Sequence, residues 1–300
     1  EAALAAKIAE VVRADLASIG IFAAPDSASI STFTADIGAL PTWSDWSGAN
    51  VGALVVGKVI IGADNSLTIQ FRLHDIGARK QVIGTQYRLA SVDAWRRAAH
   101  KVADDVMVAL VGGKPGFDSR IAFVSDTGGA TKLGIIDQDG AQLETLLSNS
   151  AGMESPRIAP SNLSFVYSAS APIPGKPTQA QLTTIMYDLA TGSRTPLTTQ
   201  AQPNPDARFT PDGSSLIYSR KTGANTDIYS LSLSSRSETR LTEDKAVDEH
   251  PAMSPDGTQF TFVSDRGAGQ GVYVARVDGA PMRCSNGSEA KACKLTTESG

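Results

Sequence analysis

The stretch FTPDGSSLIYSRKTGANTDIYSLSL spans residues 209–233, and MSPDGTQFTFVSDRGAGQGVYVARV spans 253–277, 44 residues further on. Both place Pro-Asp-Gly at the same point. Both then run through an aromatic-bearing apolar segment ending on Ser, cross a Gly-containing turn, and re-enter an apolar segment with Ile-Tyr or Val-Tyr. A repeat of this length is one supersecondary unit used several times. Proline presets φ, aspartate bonds its own backbone two residues on, and glycine accepts positive φ, so Asp212-Gly213 and Asp256-Gly257 read as hairpin turns. The repeated aspartates are therefore scaffold, in preference to metal ligands or acid/base catalysts. Two looser copies precede them, SRIAFVSD from Ser119 and SPRIAPSNLSFVYSAS from Ser155. Four units result, at about 117–149, 150–199, 200–243 and 244–300. Four short antiparallel strands per unit predict the blades of a β-propeller.

Residues 1–111 have a different rhythm, that of a small α+β domain. Leu4, Ile8, Val11, Val12, Leu16 and Ile19 fall on one helical face, and Gly20 can end that helix. IFAAP reads as a short strand, WSDWSGANVG as a short helix, and ALVVGKVIIG as a strand buried on both faces. SLTIQFRLHDI alternates with period two and pairs with QVIGTQYRLA through GARK. Ser91 caps a second long helix whose inner face is Val92, Trp95, Ala99, Val102, Val106 and Leu110. GGKPG at 112–116 reads as a linker to the all-β propeller over 117–300.

The formal charge of −4 and pI near 5.4 argue against a general nucleic-acid binder. No apolar run is long enough to span a bilayer, so no direct membrane span is expected. Cys284 and Cys293 flank the polar loop SNGSEAKA. The Leu-Thr pairs at Leu241 and Leu295 are 54 apart, so the extra length of the last unit lies in this hairpin. Two thiols across it can pair as a disulfide, implying an oxidising compartment, or remain two reduced thiols on a surface loop. Two Cys without a nearby His offer half a zinc shell, so no metal and no cofactor are expected.

At this point the sequence resembles a known family. The pattern SPDG…FVSDRGAGQGVYV…DG…LT looks like the TolB-type beta-propeller repeats. The preceding GALVVGKV…SLTIQFRLHDIGARKQVIGTQYRLASVDAWRRAAHKVADDVMVALVGGKPGFDSRIAFVSD is similar to the TolB N-terminal domain and its junction to the propeller. The resemblance covers nearly the whole chain. It implies a periplasmic, non-enzymatic, monomeric adaptor of the Tol-Pal system. Such a protein supports outer-membrane integrity and late cell division, binding the lipoprotein Pal through its propeller and TolA through an extreme N-terminal segment. The family has six blades; this chain shows four, opens in the first helix, and does not contain the TolA-binding segment, so it is expected to be a fragment.

By motif position, the loops entering each unit's first strand would form the mouth that receives Pal. The best carry-overs are Pro203, Asn204, Asp206, Glu249 and His250. His250 also reads as a solvated loop residue. His74 falls on the polar face of its strand and His100 on the second helix, and neither is assigned a role. The rival class is the propeller of a serine peptidase or a lyase lacking its catalytic part. No nucleophile elbow is present, and three histidines spread over separate elements give a Ser-His-Asp triad no obvious assembly, so no catalytic residue is named.

Overall fold

The structure, a computed structural model, describes residues 1–23, 36–113, 116–126, 128–149, 152–173, 176–198, 206–267 and 269–296, with backbone alone at 149 and over 171–173 and 176–180. Two compact units result. One comprises residues 1–119 with 137–139; the other comprises 120–136 with 140–300.

In the first unit, α1 (Ala2–Ser18) packs on α3 (Trp95–Leu110), with α2 (Trp43–Gly48) between them in sequence. The sheet is a meander of β1 (Ala53–Ile61), β2 (Leu67–Asp75) and β3 (Lys80–Leu89), antiparallel in chain order. Period-two alternation puts Leu67, Ile69, Phe71 and Leu73 on one face of β2, all fully buried. They form a core with Ile8, Val11 and Val12 of α1 and Ala99, Val102 and Val106 of α3. Burying one such large apolar side chain contributes about 1.5–3 kcal/mol, which is what docks two marginal helices onto the sheet. Gly20, at φ +69°, ends the first helix with its N–H bonded to the Ala17 carbonyl. Ser91 does cap, its hydroxyl accepting from the Asp93 N–H, but it caps a 3₁₀ turn at Val92–Ala94 that leads into α3.

Several sequence expectations give way here. Residues 21–23 form no strand, and the rest of IFAAP lies outside the described residues. β1 is not buried on both faces. Among the described residues it lies at the edge of the sheet, with Val56 and Val59 buried and Ile60 and Ile61 38% and 37% exposed. His74 is fully buried rather than solvated, because the Trp43 ring at the start of α2 meets it edge-on at 5.8 Å.

Among the described residues the regular elements of the second unit are all strands. Its first sheet is β4 (Arg120–Asp126), β5 (Thr131–Asp137) and β6 (Glu144–Asn149). The second is β7 (Met153–Ile158), β8 (Ser164–Ile173), β9 (Lys176–Asp188) and β10 (Arg194–Pro196). The third is β11 (Arg208–Phe209), β12 (Ser215–Thr222), β13 (Asn225–Ser232) and β14 (Glu238–Arg240). The fourth joins β15 (Asp248–Met253), β16 (Gln259–Ser264), β17 (Gly271–Arg276) and β20 (Ala292–Lys294). A two-stranded ribbon, β18 (Met282–Arg283) and β19 (Glu289–Ala290), holds the inserted loop, and Cys284 and Cys293 are disulfide-bonded across it. Four sheets of this antiparallel kind follow one another among the described residues, the first with three strands where four were expected.

The Pro-Asp-Gly turns behave as scaffold. Asp212 accepts from the Ser214 N–H at 3.1 Å and from the Thr210 hydroxyl at 2.6 Å; Asp256 repeats this with Thr258 and Ser254. Hydrogen bonds from Thr210 and Ser254 hold both carboxyls below the usual aspartate range. Gly213 and Gly257 take φ near +70° and lie against Pro160 and Pro211 of the preceding sheet's turn. The sheets bury their aromatic faces against one another: Ile217 and Ile228 of the third pack on Phe260, Phe262 and Tyr273 of the fourth.

Candidate functional site

Three of the five rim carry-overs, Asp206, Glu249 and His250, are described; Pro203 and Asn204 lie outside the described residues. Asp206 precedes β11 and is buried. Its carboxylate accepts the Ser219 N–H at 3.1 Å, the Ser219 hydroxyl, and the His250 N–H at 3.0 Å from the next sheet. Ser219 is fully buried in β12, and its Oγ also accepts the His250 N–H at 3.2 Å. So one carboxylate ties the entry of the third sheet to its own second strand and to the first strand of the fourth.

His250 sits on a bulge. The β15–β16 register steps from Glu249↔Val263 to Ala252↔Thr261, leaving residues 250 and 251 opposite one partner. Its φ of +56° is the left-handed region, which costs a non-glycine residue about 1–2 kcal/mol. The Asp206 hydrogen bond holds it there. The backbone is clamped while the imidazole, 55% exposed, turns outward with Nδ1 4.0 Å from Asp206. Glu249 beside it is half-buried.

The second sheet repeats the device: β7 steps register between Glu154 and Arg157, and Ser155 has φ +49°. Glu-Ser-Pro at 154–156 and Glu-His-Pro at 249–251 are the sequence signal for both bulges. The loop before β15 is equally fixed. Asp244 accepts from the Ala246 N–H, Asp265 accepts from the Val247 N–H, and buried Asp248 is bridged by Arg266 at 2.6 Å.

The fold brings a Ser, a His and an Asp together, but not in the order of a catalytic triad. The Ser219 hydroxyl gives its hydrogen to the Asp206 carboxylate and accepts from the His250 backbone N–H, so the imidazole is not the group that faces it.

A second polar cluster belongs to the first unit. His100 of α3 and Asp15 of α1, both buried, meet at 2.6 Å through Nδ1. The turn after β5 adds Asp137, 3.8 Å from His100 Nε2, and Asp139, while Arg96 pairs with both of these. Burial pushes the His100 pKa down, but the hydrogen bond and charge of Asp15, with Asp139 and Asp137, outweigh it and raise the pKa. Asp15, His100 and Asp139 bring ligand-type atoms within 4.8 Å of one another. The Arg96 guanidinium already pairs with Asp139, so a cation at this group would have to compete with an arginine in place. Helical periodicity gave no hint of it, because Asp15 and His100 are polar residues on otherwise apolar faces.

An α+β N-terminal domain followed by blade-like repeats stacked through Pro-Asp-Gly turns defines a propeller protein. The profile described as TolB beta propeller domain matches residues 108–297, and that of the TolB amino-terminal domain matches residues 1–82. The chain belongs to the TolB family. Among solved structures it is similar to TolB from Acinetobacter baumannii at 28% identity and a TM-score of 0.70, over 97% of this chain and 68% of that one. The putative TolB from Agrobacterium tumefaciens matches at 17% identity and a TM-score of 0.38, over 58% of this chain and 72% of that one. The tricorn protease matches at 14% identity and a TM-score of 0.43, over 82% and 26%, a likeness that carries nothing about chemistry. Family membership makes this a Tol-Pal protein of the periplasm. Among the described residues no helix is long and apolar enough to cross a membrane.

Proposed function

We propose that the chain is a non-enzymatic adaptor that binds the peptidoglycan-associated lipoprotein Pal through its rim loops, in support of outer-membrane integrity and cell division. The proposed contact residues are Glu249 and His250, with Pro203 and Asn204 on an equivalent entry loop and Asp206, buried, supporting His250 from behind. The observation that carries the reading is His250. A residue held in a strained backbone region with its ring turned to solvent is a mark of a recognition position, and among the described residues the only charged group near the ring is the Asp206 carboxylate, 4.0 Å from Nδ1. Asp206 acts behind it, as the residue that fixes the bulge. The disulfide agrees with an oxidising compartment. The domain limits proposed from sequence, 1–111 and 117–300 around a linker at 112–116, assign recognition to the second part.

Calorimetric titration of the full chain with a soluble Pal domain tests this. His250→Ala should weaken binding by about tenfold without changing the melting temperature, as truncation of a presented interface residue does. Binding unaffected by His250→Ala and Glu249→Ala together, or turnover of chromogenic peptides that depends on Ser219, would overturn it.

A further inference from the structure

Residues 137–139 end β5 and turn out of it, yet form part of the first unit. What seats them there is polar. Gln138 gives its backbone N–H to the Ser119 carbonyl at 3.1 Å and its side-chain amide to Asp15 Oδ1 of α1 at 3.4 Å. Arg96 of α3 reaches Asp137 at 3.3 Å and pairs with Asp139. Beside these contacts is the His100 ring of α3, fully buried.

Each ring nitrogen faces a carboxylate. Nδ1 lies 2.6 Å from Asp15, and Nε2, which makes no hydrogen bond, lies 3.8 Å from Asp137. A neutral imidazole has one N–H and one lone pair. With its Nδ1–H given to Asp15, the Nε2 lone pair would be turned on the Asp137 carboxylate. An imidazolium has an N–H for each side. The charges agree. The groups facing the ring are Asp15 from α1 and Asp137 and Asp139 from the turn, the last two also paired by Arg96. With the proton in place three negative charges meet two positive ones; without it they meet one. Burial disfavours the charged ring, but the hydrogen bond and charge of Asp15, with Asp139 and Asp137, outweigh it.

We propose that His100 is a proton-dependent pin: its imidazolium seats the 137–139 turn on α1 and α3, and loss of the proton unseats that turn. A buried carboxylate left facing a lone pair is costly, and the turn is the part of the cluster that can leave, since Asp15 and His100 are fixed on packed helices. The three residues carry the chain from β5 towards β6, so one imidazole sets how firmly that connection is held.

The test is amide hydrogen exchange on the full chain between about pH 6 and about pH 8, each rate divided by the intrinsic rate of that residue at the same pH. The Gln138 N–H reports the turn, and the N–H of buried Phe71 in β2 reports the core of the unit. The Gln138 protection factor should fall by about tenfold over this range, because above about pH 6.5 only the seated ring keeps its proton. A local release exposes little surface, so the Gln138 rate should not respond to sub-denaturing urea, whereas the Phe71 rate should rise with it. In His100→Gln the pH dependence at Gln138 should vanish. In Asp137→Asn, which removes one of the facing charges, the fall should shrink to roughly half. In the unmutated chain the ring nitrogen resonances of His100 should be those of an imidazolium at about pH 6. A neutral ring there, a Gln138 protection factor constant within about twofold over the range, or an undiminished fall in His100→Gln overturns the proposal. So does a Gln138 rate that climbs with urea as steeply as that of Phe71.

Discussion

Replacing Asp206 by alanine isolates what the clamp contributes. The carboxylate satisfies three donors: the N–H and hydroxyl of fully buried Ser219, and the His250 N–H. After truncation the His250 N–H keeps a partner in Ser219 Oγ at 3.2 Å, so two donors are left without one. Each orphaned buried donor costs about 1–3 kcal/mol. The lost desolvation penalty of a buried carboxylate offsets part of this. A net loss of about 2–4 kcal/mol follows. Asp206→Asn keeps one acceptor oxygen and should lose roughly half as much. The bulge should suffer first, since only the bond from the His250 N–H to Ser219 Oγ then restrains its left-handed backbone. Urea denaturation gives the global figure, and amide hydrogen exchange at His250 gives the local one. A loss below about 0.5 kcal/mol, with the His250 amide as protected as before, would refute the clamp.

Other consequences are as direct. A Cβ at Gly134 would lie 2.7 Å from the Phe123 ring and 3.2 Å from the Glu144 carbonyl, so Gly134→Ala should cost about 1–3 kcal/mol in thermal unfolding, and a neutral result would mean that Phe123 moves freely. His74 and His100 should give the first unit opposite pH dependences. Burial, aided by Arg72, depresses the His74 pKa, so its contribution is full above the unfolded value of about 6.5 and is lost as pH falls below it. The raised His100 pKa makes its contribution full below that value and lost as pH climbs through the folded one. Urea midpoints against pH should therefore lose their acid-side fall in His74→Leu and their alkaline-side fall in His100→Leu; profiles parallel to the parent's would contradict both assignments. Replacing Cys284 and Cys293 by serine opens a loop of sequence separation 9 and should cost about 2–3 kcal/mol by chain entropy, to be checked by denaturation with and without reductant.

What could be read from the sequence was what neighbours in sequence decide. Asp212 and Asp256 make their turns with residues two positions away, so the repeat announced itself. The β2 alternation and the α3 face are equally local. What escaped depends on elements distant in the chain. His74 alternates with apolar residues as a surface residue would, and only Trp43 from α2 makes it interior. β1 is apolar enough for a central strand, yet its place in the sheet is set by which strands pair with it. The union of Asp206, Ser219 and His250 joins the segment before β11 to strands of two sheets, β12 and β15, and spacing alone could not reveal it. A sharper look at Glu154-Ser155-Pro156 beside Glu249-His250-Pro251 would have found the bulge.

The exposed margin of β1 has a practical consequence. Among the described residues this strand pairs only with β2, and it ends in Ile60 and Ile61 with Lys58 as its sole charge. A flat, greasy strand border is a template for joining another molecule of the same kind. Lys58 is the guard against that. Concentrated solutions in which its charge is screened or its ammonium removed should turn cloudy before the propeller repeats begin to melt.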